Sequence, residues 1–512
     1  MHAPQEPIKL DEKLATQSPW LLIAILLHVV VVAIASVLYY ETGSALDDVS
    51  STEISITTAR PPVAELVPPT IVDYAKVPQP RDDMLEPSDL PFESMVSDEP
   101  PLGDVSDSDT KSEFVGMPEC GSTPIGPSKG WHASVPSPNS GPPGGKSRGR
   151  PNGKPDGGGR PGGTPTNEAV DLGLLWLKNH QDEDGHWDAD QFMKHDVVGD
   201  ACTGPGNSVN DVGVTGLALL AFLGVGNTLK DGPHRKVVRS GVRWLLEQQD
   251  ADSGLIGTAA SQSYMYSHAI AALAVCEAYG LSDHRPLRKS SQAAINYIVQ
   301  SRNPYGVWRY QPRDNDGDSS VTAWMVQALL SGKEFGLLVD DAALQTAAVF
   351  FDGVTDAATG TAGYTKAGEG SSRPVGKQDK FPAAKTESLT SAVLLCRCLL
   401  HQEPKDTPTM SLATEAILKK PPVWNETDGS IDMYYWYYAS YALFQIGGKP
   451  WETWSKKMNG ALVKTQRKDG NAKGSWDPVD AWGEEGGRIY STAIMVLCLE
   501  AHYRYSRVLG AR

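Results

Sequence analysis

The sequence has little positive charge and few cysteines, and both shortages exclude classes of function. Its 46 lysine and arginine residues are outnumbered by 62 aspartate and glutamate residues, which leaves a net charge of −16. A nucleic-acid-binding domain needs a basic face, so the composition argues against a nucleic-acid partner. The six cysteines show no spacing typical of a metal site or of a redox Cys-x-x-Cys motif. Four of them fall in apolar helical stretches, where buried and inert thiols are expected: Cys276, Cys396, Cys398 and Cys498.

Aspartate, glutamate, lysine and arginine are absent from residues 20–40, WLLIAILLHVVVVAIASVLYY, in which His28 is an ionisable group within the apolar run. As a helix this stretch is about 30 Å long, which matches the apolar core of a bilayer. No small-residue cleavage site follows it, so we expect a retained single-pass anchor in the cell membrane. Lys9 and Lys13 precede the stretch. The positive-inside rule therefore predicts a cytoplasmic tail, residues 1–19, and an extracytoplasmic (periplasmic) remainder.

Residues 41–165 show no sustained hydrophobic periodicity. The first part is acidic and rich in proline, and the second part, GPPGGKSRGRPNGKPDGGGRPGGTP, is basic and rich in glycine. Neither part can bury enough apolar surface to offset the entropy of ordering, so we predict a disordered linker. Its basic block is typical of a solvated linker, and contact with an acidic partner or lipid is the alternative.

Residues 166–512 alternate between two kinds of helical stretch. One kind ends in a turn that contains glycine, as in AVDLGLLWLKNHQDEDGHW, and the other is smoother and rich in small residues, as in YSHAIAALAVCEAYG. Six such pairs follow one another, which predicts about twelve helices in a repeat architecture.

The turns share a pattern of glutamine, glycine and tryptophan. Glycine can adopt the left-handed conformation that ends a helix, the glutamine amide can bond otherwise unpaired backbone groups, and the tryptophan can cover the turn. A structural role is therefore expected. The best matches are Gln181, Gly185 and Trp187, then Gln300, Gly306 and Trp308, and then Gln466, Gly474 and Trp476. The second repeat keeps Gln248, Gln249 and Gly254 but has Ile256 in place of tryptophan, and the fourth has Gly363 and Tyr364.

These endings resemble the QW repeats of the terpenoid cyclase and protein prenyltransferase superfamily, over residues 166–512. The resemblance implies an all-α fold, an α/α toroid with six inner and six outer helices around a central cavity. Squalene-hopene-type cyclases of this superfamily protonate an alkene with an Asp-x-Asp-Asp motif. Asp316-Gly317-Asp318-Ser319 matches the motif in part, so the resemblance implies Asp318 as the acid and Asp316 as its assistant. The alternative is that the cluster marks the N-terminus of the helix that follows, with Ser319 or Ser320 as the cap and aspartate at the positive end of the helix dipole.

An aromatic stripe and a single histidine are further candidates for contact with a ligand. Tyr434, Tyr437 or Tyr438, and Tyr441 follow the spacing of one helix face, and aromatic faces stabilise cations. The alternative is packing in the core. His268 lies in a predicted inner helix, where it either contacts a ligand or is a satisfied core residue.

The prenyltransferase branch needs a zinc ion held by Asp, Cys and His on inner helices. Asp200 and Cys202 have the Asp-x-Cys spacing and His195 lies near them, but all three fall in a predicted loop. We therefore predict no metal site and no cofactor. The sequence favours a membrane-tethered binding module for an apolar ligand, such as an isoprenoid or lipid, or for a peptide or protein partner. A cyclase-like isomerase and a structural docking platform are the alternatives.

Overall fold

The computed structural model describes residues 165–197, 199–505 and 507–509. These residues form twelve α-helices, four short 3₁₀ helices and two isolated β-bridges. The predicted tail, the anchor at 20–40 and almost all of the linker lie outside the described residues. Across the part of the chain that is described, no helix combines the length and the apolar character needed to cross a bilayer.

The helices come in six pairs, and we number them α1 to α12 in chain order. The first helices of the pairs are α1 (Pro165–Asn179), α3 (Arg235–Glu247), α5 (Arg288–Gln300), α7 (Asp341–Val354), α9 (Pro408–Leu418) and α11 (Gly448–Thr465). The second helices are α2 (Asp211–Gly224), α4 (Tyr264–Ser282), α6 (Ser319–Glu334), α8 (Ser388–Leu399), α10 (Met433–Ile446) and α12 (Gly483–Arg504).

The even-numbered helices form a closed inner ring. Each contacts the next one along the chain, and α12 contacts α2, which closes the ring. The odd-numbered helices pack on the outside against neighbouring inner helices, and α1 also contacts α12. This arrangement is the α/α toroid that the sequence predicts, with six inner and six outer helices within the described residues.

Hydrophobic patterning explains which helices lie inside. Every residue of α8 is buried, as expected for a helix that is covered on all faces. The outer helix α3 buries residues three to four positions apart and exposes the rest, which is the pattern of an amphipathic surface helix: Val237, Val238, Gly241, Val242 and Leu245 are its buried residues.

The turn glutamines join successive outer helices. Each donates one amide hydrogen to a carbonyl in its own turn and the other to the first turns of the next outer helix. The two acceptors are Gly185 O and Val237 O for Gln181, Gly254 O and Ser290 O for Gln249, and Gly474 O and Ala169 O for Gln466, at 2.7 to 3.2 Å. The last of these bonds joins the sixth pair to the first.

The turn tryptophans cap the outer helix that precedes them. The indole N–H of Trp187 donates to Leu177 O at 2.7 Å, and those of Trp308 and Trp476 donate to Ile298 O at 2.7 Å and Leu462 O at 2.9 Å. All three tryptophans are completely buried. The predicted structural role of these turns is therefore confirmed.

Two details of the predicted turns are wrong. Gln300 is exposed, and its place is taken by Arg302, which pairs with Asp340 at the N-terminus of the next outer helix at 2.6 Å. Arginine can make this link because its side chain reaches at least as far as that of glutamine and its guanidinium carries more hydrogen-bond donors. In the fourth repeat the turn glycine with positive φ is Gly360 at 71°, not Gly363.

Candidate functional site

The tyrosine stripe of α10 lies inside the ring and packs against other inner helices. Tyr437 stacks on Trp324 of α6, with ring centroids 5.3 Å apart, and Tyr438 meets the same indole edge-on. The Tyr441 hydroxyl donates to Leu497 O at 2.9 Å. All of these side chains are at least 98% buried, so their contacts are the interdigitated packing of a protein interior.

A buried charged cluster lies beside this stripe. Arg504 of α12 pairs with Glu277 of α4 at 2.5 Å and with Glu500 at 3.5 Å, and its guanidinium also donates to Leu220 O of α2. The Tyr505 hydroxyl donates to Glu277 at 2.5 Å. Burial raises the pKa of both glutamates, and more strongly that of Glu500. The cluster therefore links three inner helices across the ring.

Asp318 marks the end of the ring where the inner helices begin. It is the N-cap of α6, and its Oδ1 accepts hydrogen bonds from the backbone N–H groups of Ser320 at 2.7 Å and Val321 at 3.1 Å. The residue is completely buried, and this burial raises the pKa of its carboxyl group. The cap is thus Asp318 itself, and the group is biased toward the protonated form that a general acid needs.

Four tyrosines lie near Asp318: Tyr266, Tyr310, Tyr364 and Tyr434. Oδ2 makes no hydrogen bond of good geometry within the described residues, but the Tyr364 hydroxyl is close enough to lower the pKa of Asp318 by hydrogen bonding. Tyr364 in turn bonds the Tyr310 hydroxyl, and Tyr266 bonds Ser320. Tyr434, the first residue of the predicted stripe, is also close to Asp318 and fully buried from solvent at its hydroxyl.

An open groove of about 520 Å³ begins at Tyr364; we call it the rim groove. Its walls are polar or charged apart from the tyrosine ring, and they include Arg309, Asp316, Tyr364, Glu369, Ser372 and Arg373. Asp316 pairs with Arg309 in the groove and is half exposed, whereas Asp318 is completely buried. The structure therefore places the two predicted acids in different surroundings.

The connection between α7 and α8 supplies most of the groove, and Arg373 fixes it to the ring. Arg373 is almost fully buried; its Nη2 lies 3.2 Å from Asp432 Oδ2, and its Nε donates to Phe381 O at 3.0 Å. Asp432 is the N-cap of α10 and accepts from Tyr435 N. The connection is thus tied to the N-terminus of an inner helix.

Residues 370–373 line the rim groove and have no regular secondary structure. Within the described residues, none of their four backbone N–H groups donates to another backbone group. Unpaired backbone donors on a groove wall are available to a ligand.

A second carboxyl group lies behind Asp432. Asp480 is buried; its Oδ2 accepts from Met433 N and from the Tyr490 hydroxyl, both at 3.1 Å. Burial, with a smaller contribution from the charge of Asp432, raises the pKa of Asp480 to about 7. This carboxyl group therefore titrates near neutral pH.

His268 lies in the wall of the ring, away from the groove. Its Nδ1 accepts from Ile256 N at 3.0 Å, and its Nε2 faces Ala294 O at 3.3 Å. In four other repeats the same backbone N–H is bonded by a threonine of the inner helix, as in Trp187 N to Thr215 Oγ1 at 3.0 Å. Burial lowers the pKa of His268 to about 4, so the ring is neutral.

The residues considered for zinc separate in the structure. His195 pairs with Asp182 at 2.5 Å, and Asp200 is exposed. Cys202 is buried and lies instead beside His180 and Asp196. Burial, and then Asp196, raise the pKa of the Cys202 thiol to about 11. The same effect of burial lowers the pKa of His180.

No sequence pattern indicated Arg309, Tyr364, Arg373, Asp432 and Asp480 as a group. They come from three separate connections and from helix ends, where no periodicity exists. The one available signal was the length of the connection 355–387, since long connections in compact domains are commonly functional.

No family model and no curated protein matches this chain. It is similar to solved toroids, among them an inactive variant of the α-1,6-mannanase of Salegentibacter sp. in complex with α-1,6-mannotriose, at 10% identity and a TM-score of 0.44, covering 66% of this chain and 98% of that one. A type II terpene cyclase from Scytonema, in complex with geranylgeranyl dihydroxybenzoate, is 13% identical with a TM-score of 0.42, covering 66% and 97%. The cellobiose 2-epimerase of Bacillus thermoamylovorans is 14% identical with a TM-score of 0.43, covering 65% and 98%. Because the similarity is this low, the fold is assigned from the helix contacts of the chain itself.

Proposed function

We propose that this chain is a toroidal binding module that holds an extended peptide segment of a partner protein in the rim groove. The observation that carries the proposal is the groove wall at 370–373, whose backbone N–H groups donate to no other backbone group within the described residues. An extended peptide satisfies such donors with its own carbonyl groups, as in strand addition. The polar walls favour a peptide over the apolar ligand that the resemblance suggests.

Arg309 and Asp316, which pair with each other in the groove wall, would supply specificity. Arg309 lies over the rings of Tyr310 and Tyr364, at 5.6 and 5.9 Å from their centroids, and so presents a positioned cation. Asp316 beside it offers a carboxylate. A peptide with an acidic and a basic residue near each other would match this pair.

A peptide library displayed on phage and selected against the full-length protein tests the proposal. Selected peptides, labelled and measured by fluorescence anisotropy, should bind Arg309→Ala at least about tenfold more weakly, which corresponds to about 1.4 kcal/mol. Arg243→Ala is the matched control, because Arg243 lies on the outer helix α3, pairs with the exposed Glu247 at 3.8 Å and donates to Asp184 O at 3.4 Å. Failure to select any peptide, or equal binding by both variants, would contradict the proposal.

Acid catalysis is a second candidate, and it has one specific support. Asp318 is a carboxyl group with a raised pKa, and its neighbour Tyr364 lines the groove. A cyclase-type isomerase would use Asp318 to protonate an alkene. Incubation with squalene, followed by product analysis, should then give a cyclic product that Asp318→Asn fails to form. Absence of turnover by the unaltered protein would count against this candidate.

We also propose that residues 20–40 anchor the chain and display the toroid outside the cytoplasm. The apolar length and the preceding lysines support this placement. A protease added to sealed spheroplasts should cleave the 41–165 stretch and release the toroid. Full protection of the chain would instead place the toroid inside the cell.

A further inference from the structure

His180, at the end of α1, presents one ring nitrogen to a group of potential metal ligands. Its Nδ1 lies 2.8 Å from Trp176 O. A carbonyl oxygen only accepts hydrogen bonds, so Nδ1 carries the proton, and Nε2 of the neutral ring has a free lone pair. That nitrogen faces Asp196 Oδ1 at 3.2 Å. Two acceptors this close need a proton or a cation between them.

Cys202 adds a sulfur atom to the same place. Its Sγ, His180 Nε2 and a carboxylate oxygen of Asp196 all lie within 4.8 Å of one another. The three side chains come from the end of one helix and from two points in the connection that follows it. Each is at most 8% exposed, so water competes weakly for the position between them.

The surroundings hold these side chains in place, as outer-shell contacts do at metal sites. The proton on Nδ1 fixes the tautomer in which Nε2 is free, and the imidazole stacks on Trp176 with centroids 4.1 Å apart. The second oxygen of Asp196 accepts from the backbone N–H of Cys202 at 2.6 Å. This hydrogen bond holds the carboxylate beside the backbone of Cys202.

A neighbouring cluster differs in one decisive respect. Asp182, His186 and Asp188 also bring three potential ligand atoms together. There, however, the ammonium group of Lys194 lies 2.5 Å from Asp182 and 3.0 Å from Asp188, so a cation is already supplied by the chain. Within the described residues, no lysine or arginine pairs with Asp196, and Arg488, whose charge acts on Cys202, pairs with Asp477.

We propose that His180 Nε2, a carboxylate oxygen of Asp196 and Cys202 Sγ bind a zinc ion. Nitrogen, oxygen and sulfur donors from three side chains are a zinc ligand set, and a water completes the tetrahedron. The thiol gives up its proton on binding.

The zinc would stabilise the seam where the first and last helix pairs meet. Asn471 of the sixth turn accepts from the Trp176 indole at 2.8 Å and donates to Asp200 O at 3.1 Å. Arg488 of α12 donates to Thr203 O at 2.7 Å. The segment between Asp196 and Thr203 is thus attached to the last pair on one side and to the proposed ion on the other.

Metal analysis of the full-length protein tests the site. After dialysis against zinc and then against metal-free buffer, we expect about one zinc per chain, the stoichiometry of a single site. Cys202→Ser and His180→Gln should each lose most of this zinc, and chelation should lower the melting temperature of the unaltered protein but not that of these two variants. His186→Gln, in the cluster occupied by Lys194, is the matched control and should keep its zinc.

Cobalt substitution supplies a readout that does not depend on how the variants fold. Cobalt(II) added to the unaltered protein should give the near-ultraviolet charge-transfer band of a cobalt–thiolate bond, and zinc should abolish it. A chain that binds no zinc, or that binds cobalt without this band, would overturn the proposal. So would a folded Cys202→Ser variant with undiminished zinc content.

Discussion

Asp318 combines two features that a short acidic motif can have: it caps a helix, and its carboxyl group has a raised pKa. The sequence left open whether it acts as an acid or as a cap, and the structure shows that it caps α6 with one oxygen while the other faces Tyr364. Sequence alone could not separate Asp316 from Asp318, because the surroundings of Asp318 include Tyr266 and Tyr364, which lie more than forty positions away along the chain. Single carboxyl groups of this kind contribute measurably to the free energy of unfolding.

Asp318→Ala should lower the free energy of unfolding by about 1–2 kcal/mol, because it removes both N-cap hydrogen bonds. Denaturant titration measures this change. Asp316→Ala is the control; its half-exposed side chain should contribute less than about 0.5 kcal/mol. Equal losses for the two variants would mean that the cap is not the source of the effect.

Asp480 should make stability depend on pH in a defined window. Its pKa rises from the ordinary value of 3.8 to about 7 in the folded chain. Between these values the native state binds more protons than the unfolded state, so the free energy of unfolding falls as pH rises from about 4 to about 7. Relative to Asp480→Asn, the unaltered protein should therefore lose up to about 1.4 kcal/mol per pH unit.

Denaturant titration of both proteins across this window measures the difference. Asp469→Asn alters a highly exposed carboxylate. Its free energy of unfolding should change with pH in the same way as that of the unaltered protein. A constant difference between Asp480→Asn and the unaltered protein at every pH would contradict the assignment.

At the scale of the elements, the turns are the best-predicted part of the chain. Helical periodicity and the recurring glutamine, glycine and tryptophan were enough to place the six pairs, because those interactions are local or join neighbouring repeats. The glutamine of the third turn was misassigned because Arg302 makes the link to the next outer helix that a glutamine makes in other turns. No sequence pattern indicates such a replacement of one hydrogen-bond donor by another. The groove and the proposed zinc site depend on irregular connections, so only the folded chain brings their residues together.

Gly254→Ala should be strongly destabilising. At φ 81° a Cβ would lie 2.3 Å from Ala293 O on the next outer helix, a backbone atom that cannot move alone. We expect a loss of roughly 2 kcal/mol or more in the free energy of unfolding. Gly353→Ala is the matched control: it lies in helix α7, nothing lies within 4 Å of the added Cβ, and helix propensity favours alanine by about 0.5–1 kcal/mol. Thermal melts that rank the two variants in the opposite order would refute this account of the turn.

At the scale of the whole molecule, the ring is closed by contacts between residues almost 300 positions apart. Gln466 bonds Ala169 O, Arg488 bonds Thr203 O, and α12 packs on α1 and α2. The repeat pattern predicted a closed array, but the residues that close it carry no motif that distinguishes them from the other turns. Because the chain's own aromatic and charged side chains occupy the interior, we expect a ligand to bind at the rim groove.

Gln466→Leu tests the seam directly. It leaves Ala169 O and Gly474 O without their donor in a buried position, which should cost about 1–3 kcal/mol. Gln300→Leu, in the exposed glutamine first assigned to a turn, should be nearly neutral. If Gln300→Leu destabilised the chain as much as Gln466→Leu, the assignment of the turn glutamines would be wrong.

The most direct test of the central claim, that this toroid binds at its rim groove, is hydrogen–deuterium exchange of the full-length protein with and without a selected peptide. The amides of residues 370–373 should exchange rapidly in the free protein and become protected with peptide, while those of α10 stay unchanged. Protection confined to the inner helices, with exchange at 370–373 unaltered, would show that the ligand enters the ring and would contradict the account.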